Sequence, residues 1–205
     1  MDARNRLFVI SAPSGAGKTS LVSALMEREP QLRISISYTT RAQRPGEQHG
    51  RHYFFVDAET FRSMVEQGDF LEHARVFDNC YGTARAQVES QLAEGHGVVL
   101  EIDWQGARQV RAAMPDSVGI FILPPSRTEL ERRLRGRGTD NEAVIRRRLA
   151  DAAADISHWS EFDYVVVNDD FATAVSALSD VIRDRGDASR ADRAELGPLV
   201  ASLLA

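Results

Sequence analysis

The chain has 205 residues, 43% hydrophobic and 27% charged, the composition of one globular domain with a sizeable core. Its formal charge of −5 argues against wholesale electrostatic binding of nucleic acid, and no apolar run approaches the roughly 20 residues of a membrane span. A single cysteine excludes an internal disulfide and fits a reducing compartment, so a cytoplasmic protein that binds neither nucleic acid nor membrane is expected.

The opening stretch, MDARNRLFVIS, holds too short an apolar run for a secretion signal. Its Leu7–Ile10 run is continuous rather than alternating, as in a strand buried on both faces of a parallel sheet. Directly after it, Ala12, Pro13, Ser14, Gly15, Ala16, Gly17, Lys18 and Thr19 follow the spacing G-x-x-x-x-G-K-[ST], with Ala12 in place of the first glycine. Glycines let successive backbone N–H groups converge on a phosphate, and the next helix offers its positive end to the same anion. Lys18 can reach the outer phosphates and the Thr19 hydroxyl can ligate Mg²⁺. Leu21, Val22, Leu25 and Met26 then fall on one helical face.

Residues 34–83 break the alternation of strand and helix. They read as an insertion rich in basic and aromatic residues, with a helix from Asp57 to Gln67. Arg41 and Arg44 flank a turn-like RAQRPGE and Tyr53 follows on a strand; two guanidinium forks and a phenol can bind a second, separate phosphate. Thr83 is placed to cap the helix that starts in ARAQVESQLAEG. Val98–Ile102 is a second buried strand. It ends in Glu101 and Asp103, where an acidic partner for Mg²⁺ or its waters belongs, with the division of roles between the two acids open.

After the strand Gly119–Leu123, Ser126-x-x-Glu129 is a capping-box signature opening a helix with Leu130 and Leu134. Residues 127–150 form an arginine-studded helical hairpin. Arg133 and Arg137 share a helix face if the helix persists through Gly136, and Arg148 lies in the next helix. Arg132, Arg135, Arg146 and Arg147 are assigned to solvated faces or to the rim. Tyr164–Val167 is the last strand, followed by VVNDD with Asn168. The tail RDRGDASRADRAELGPLVASLLA either packs back on the core as an amphipathic helix or forms a surface between copies of the chain.

The segments APSGAGKTS, SYTTRAQRPGEQHGRHYFF, FLEHARVFDNCYGT, LEIDWQGARQV, FILPPS, RLRGRG and VVNDD, in this order over about residues 7–171, resemble the guanylate kinases, most of all the bacterial ones. The resemblance implies an α/β P-loop kinase core, a parallel sheet flanked by helices, carrying an inserted GMP-binding subdomain and a helical lid. The implied boundaries are a core of residues 5–33, 84–126 and 151–185, an insertion at about 34–83, a lid at about 127–150 and a tail at 186–205. It implies phosphoryl transfer from MgATP to GMP, with ATP and GMP as partners and Mg²⁺ as the cofactor.

Carried over by position, Ala12 to Thr19 and Asn168 would face ATP, with Thr19 and Glu101 on the metal. Ser37, Arg41, Arg44, Tyr53, Glu72, Tyr81, Gly82, Thr83 and Asp103 would face GMP. Lys18, Arg41, Arg133, Arg137 and Arg148 would stabilise the transferring phosphoryl group. Guanine presents N1–H beside an exocyclic amine, a double donor that one carboxylate can accept, which makes Glu72 the expected base reader. Cys80 departs from the aromatic residue of the family pattern and leaves a free thiol. Related domains also serve as non-catalytic binding modules, but those tend to lose the loop lysine or the lid arginines, all present here.

Overall fold

A computed structural model describes residues 5–76, 78–136 and 141–205. The chain opens with β1 (Leu7–Ser11), α1 (Lys18–Arg28) and β2 (Leu32–Ile34). Next come the short strands β3 (Tyr38–Thr39) and β4 (Phe54–Phe55), α2 (Ala58–Gln67), β5 (Phe70–Val76) and β6 (Asn79–Ala84). Then follow α3 (Arg85–Ala93), β7 (Gly97–Glu101), α4 (Trp104–Ala113) and β8 (Val118–Leu123). The last elements are α5 (Arg127–Arg135), α6 (Glu142–Ile156), β9 (Tyr164–Val167), α7 (Phe171–Ile182) and α8 (Leu196–Leu204).

Five strands form a parallel sheet in the order β2-β7-β1-β8-β9. Its centre needs helices on both faces, which is why these strands read as unbroken apolar runs; Phe8, Ile10, Val99, Ile120 and Ile122 are fully buried. One face is covered by α1 and α7 through Leu21, Leu25, Leu178 and Ile182. The other is covered in two parts. Val88 and Val110 pack beside β1 and β7, while Leu130, Leu134, Ala152 and Ile156 pack beside β8 and β9. No helix among the described residues is long and apolar enough to cross a membrane.

A second, four-stranded sheet, β4-β3-β6-β5, stands off the first and accounts for the basic, aromatic insertion. β5 is one of its edges, and the Gln109 side chain on α4 occupies it: its amide accepts from His73 N at 3.1 Å and donates to His73 O at 3.0 Å. Two backbone groups of that edge are thereby satisfied, and the small sheet is tied to α4 of the core. The helix expected at Asp57–Gln67 is α2, capped by the Asp57 carboxylate on Thr60 N at 2.7 Å.

The tail folds back. Leu196, Val200 and Leu203 of α8 are buried in the cluster made by α5, α6 and β9. The segment before it covers the free edge of β9, with Ala191 N on Asp163 O at 3.0 Å and Arg193 Nη2 on Val165 O at 2.9 Å. Of the two readings of the tail, packing on the core is the one observed.

Candidate active site

The carboxyl ends of β1 and β7 lie side by side at the middle of the sheet, where doubly wound folds place ligands. They are joined there by Ser11 Oγ donating to Ile102 O at 2.6 Å. The loop from Ala12 to Gly17 leaves β1 and α1 begins at Lys18. Two residues of that loop hold a left-handed backbone, Gly15 at φ 91° and Gly17 at φ 93°. A Cβ on Gly17 would meet the Asn168 amide nitrogen at 2.5 Å, and one on Gly15 would meet Leu130 and Leu134 at about 3 Å. Both glycines are demanded twice, by conformation and by space. The loop surrounds a cavity of about 170 Å³ lined by Ala12, Pro13, Ser14, Gly15, Gly17, Lys18, Thr19 and Ser20.

Asn168, expected on the adenine side, is buried and braces the loop, its amide donating to Ala16 O at 2.7 Å. Arg133 adds a second brace. Its guanidinium is held by Glu129 at 2.7 Å and donates to Asn168 O at 3.0 Å and Ala16 O at 3.4 Å. Ser126 caps α5 through Glu129 N, but the Glu129 carboxylate turns to Arg132 and Arg133 instead of completing the box. α5 ends at Arg135 with Gly136 as its C-cap. Arg137 lies outside the described residues. The exposed Arg132 pairs with Glu129, and Arg135 with Glu131 and Glu142, as solvated faces predict.

Beyond the loop opens a larger cleft of about 530 Å³, lined by residues of the large sheet, the small sheet and α6. Lys18 stands at its near end, half-buried, its Nζ on Ile102 O at 3.3 Å. Burial pulls the Lys18 amine below its ordinary pKa, while Glu101 and Asp103 oppose the shift. Thr19 Oγ1 faces Glu101 at 3.5 Å. Asp103 is the N-cap of α4, accepting from Gly106 N at 2.8 Å. So the two acids at the end of β7 divide, Glu101 toward Thr19 and Asp103 toward the helix and the cleft.

Glu72 stands on the small sheet. A β-bulge between Phe70 and Glu72 gives β5 one extra residue against β6. Phe70 and Glu72, two apart, would share a face of a regular strand; the bulge parts them. Phe70 packs against Gly82, whose missing side chain makes room for its ring, and Glu72 turns to the cleft beside Thr83 and Tyr81. Glu72 is only 5% exposed, and Thr83 Oγ1 donates to it at 2.6 Å. Burial, helped by Asp103, pushes its pKa up to about 7 despite the Thr83 bond.

Thr83 is therefore not the cap of α3. That cap is Ala84, without a side-chain bond, because the Thr83 hydroxyl is committed to Glu72. The first amide of α3, Arg85 N, instead donates to Asp69 O at 2.8 Å.

Ser37, Tyr53 and Tyr81 line the same cleft, with the two phenol rings 6.1 Å apart. Arg41 lies over the Tyr53 ring at 5.3 Å and grips Glu47 with both arms, at 2.7 and 3.1 Å. The exposed Arg44 gives its backbone N–H to the same carboxylate at 2.8 Å. Glu47, with its pKa held down to about 2 by these bonds, thus folds the RAQRPGE turn around itself. Sequence reasoning passed over Glu47, although a lone acid among arginines was the available signal. Asp151 and Asp155 were missed too. They line the cleft from α6 with Arg148, and burial lifts the Asp155 pKa to about 6.

A protein-family model for guanylate kinase matches residues 4–185. The chain belongs to the guanylate kinase family. It is 54% identical over 202 residues to a guanylate kinase of Chromohalobacter salexigens, covering 98% of this chain and 94% of that one. To that of Hydrogenovibrio crunogenus it is 58% identical over 175 residues, 85% of each chain. The fold is similar to the crystal structure of guanylate kinase from Anaplasma phagocytophilum, with a TM-score of 0.73 and 36% identity over 98% of this chain and 96% of that one.

Proposed function

We infer that the protein is an ATP:GMP phosphotransferase, converting MgATP and GMP to ADP and GDP. The observation that carries this reading is the buried Glu72 carboxylate lining the same cleft as Lys18. Guanine supplies the two adjacent donors such a carboxylate needs, whereas adenine would leave it unpaired, a loss worth several powers of ten in selectivity.

In this reading the Ala12–Thr19 loop and α1 hold the phosphates of ATP, and Lys18 leaves Ile102 O for the transferring group. Arg41, Arg44, Tyr53 and Tyr81 hold the phosphate of GMP; Ser37, Glu72, Thr83 and Asp103 hold its base. Gly82 supports them by admitting Phe70. A GMP phosphate oxygen attacks the γ-phosphorus in line, the bond from that phosphorus to the β-bridging oxygen breaks, and ADP leaves with the electron pair. The attacking oxygen is already anionic, so no strong base is needed. Lys18, Arg41, Arg133, Arg137 and Arg148 act by position and charge. An arginine aimed at a phosphoryl group in flight is worth about 4–7 kcal/mol in related systems. Asn168 braces the loop and borders the adenine side with Arg133, Asp169 and Phe171.

Thr19 and Glu101 fit Mg²⁺: a hydroxyl and one carboxylate are hard oxygen donors, suited to an ion that takes its other ligands from phosphates and water. Among the described residues no set of three or more His, Cys, Asp or Glu side chains could hold a metal by itself. When bound there, Mg²⁺ would neutralise charge on the β- and γ-phosphates.

We assign the core to residues 5–33, 84–126 and 151–185, GMP binding to the insertion at 34–83 and closure to the lid at 127–150. The reaction belongs to purine nucleotide metabolism in the cytoplasm. An ADP-release assay over GMP, AMP, CMP, UMP and a phosphorylated sugar tests the assignment. Turnover with GMP alone is expected, and equal turnover with AMP would overturn it.

A further inference from the structure

Gly106 is the third residue of α4, and its backbone is ordinary: it is not among the glycines with positive φ. In such a helical position alanine is favoured over glycine by about 1 kcal/mol, so neither conformation nor propensity explains a bare Cα here. Its surroundings do. A Cβ on Gly106 would lie 2.8 Å from Glu72 Oε2 and 3.3 Å from Glu72 Cδ and Ile102 Cδ1. The other carboxylate oxygen, Oε1, is held by Thr83. Glu72 is thus clamped between a hydroxyl on β6 and a missing side chain on α4. The N–H of the same glycine fixes Asp103.

We propose that Gly106 is a positioning residue for recognition of the acceptor base. The space it leaves sets where the Glu72 carboxylate rests, and its amide sets where Asp103 rests, so one residue spaces the two acids that face guanine. This rests on the reading of Glu72 as the guanine acceptor. A methyl group at Gly106 drives the carboxylate away from α4 and out of line with the two guanine donors. Hydrogen bonds to a charged group weaken steeply with such displacement.

Four proteins test this: the parent, Gly106→Ala, Glu72→Ala and the double variant. Each is measured for kcat, for KM toward GMP and ATP, for GMP affinity by calorimetry and for Tm. Gly106→Ala is expected to weaken GMP about tenfold, as misaligned charged hydrogen bonds would, with KM for ATP unchanged. In the Glu72→Ala background the same substitution should add no further loss. If Glu72→Ala leaves GMP use intact, the reading of Glu72 is wrong and the proposal falls with it. If Glu72→Ala is impaired but Gly106→Ala equals the parent, or costs as much with Glu72 absent as present, only the role of Gly106 is overturned. Should Gly106→Ala fail to fold alone, recovery of its Tm in the double variant supports the clamp, and no recovery refutes it.

Discussion

At the Lys18 end of the cleft, the groups facing a ligand are mostly backbone, supplied by consecutive residues and locked from behind by Asn168 and Arg133. At the Glu72 end they are side chains gathered from β5, β6, the residues just before β3 and β4, and the N-cap of α4, around two acids, Glu72 and Asp155, whose pKa values burial raises. The first end is braced by those bonds, and on the proposed reading it holds phosphates without reading what lies beyond them. The second keeps a carboxylate in a place where it is costly to ionise, a cost that on the proposed reading guanine offsets and adenine does not. If this contrast is right, breaking the first end should abolish turnover for every acceptor, and breaking the second should change preference.

The largest effect is expected from Lys18→Ala. Removing a charge aimed at the transferring group should lower kcat by about 10²–10³-fold with any nucleotide pair. Tm should hardly move, since the amine makes one long bond, to Ile102 O. Near-normal turnover in steady-state kinetics would refute the assignment of the loop.

Glu72→Gln comes next and should separate the ends. It replaces one acceptor oxygen by a donor, so kcat/KM for GMP should fall about 10–100-fold while KM for ATP holds. It also carries a stability signature. An unfolded Glu ionises near 4.5 and this one, folded, at about 7. Between those values the unfolded chain releases a proton that the folded one keeps. Stability therefore falls as pH rises through that window, and above it the full cost, about 3 kcal/mol, is present. The glutamine has no such cost. Its Tm relative to the parent should be higher at pH 8 than at pH 5, and an equal difference at both would show that Glu72 is not held protonated.

Gly17→Ala against Gly68→Ala measures the rigidity of the first end. Both glycines have left-handed φ, but a Cβ on Gly17 meets Asn168 and one on Gly68 meets nothing within 4 Å. Gly68→Ala should cost about 1–2 kcal/mol of backbone strain in thermal unfolding, with activity retained. Gly17→Ala should cost more and lose activity. Equal costs would mean that Asn168 yields freely and braces nothing.

The same contrast explains what could be read in the sequence. A loop that works through its backbone needs glycines at fixed spacing, so Gly15, Gly17 and Lys18 declare it in a single segment. Strands buried on both faces declare themselves as apolar runs; in the large sheet only β2, three residues at its edge, was passed over, whereas β3, β5 and β6 of the small sheet were read only as an insertion. The orientation of Glu72 was not legible, because it depends on a bulge that breaks the two-residue period of β5. Nor was Gly106 of α4, whose reason lies on β5, distant in sequence but packed against it. At the acceptor end, Arg41, Arg44 and Tyr53 were legible as a second phosphate site, whereas Ser37 and Glu72 were named only through the family resemblance.

The smallest effect concerns Glu47, which touches no proposed substrate group. Its carboxylate holds the Arg41 guanidinium and the Arg44 backbone, so it fixes where the two arginines proposed to bind the acceptor phosphate begin. Arg41 cannot spend the same two arms on Glu47 and on GMP, so the pair has to loosen when the acceptor arrives. Glu47→Gln weakens that grip without removing the turn. If Glu47 chiefly orders the arginines, KM for GMP should rise severalfold. If it chiefly competes with the phosphate, KM should fall. In either case KM for ATP and the choice among bases should stay unchanged, because on the proposed reading the turn serves the acceptor's phosphate and Glu72 its base. A shift in base preference measured across the acceptor panel would mean that the two halves of the acceptor site are mechanically coupled, and that the small sheet moves as one body.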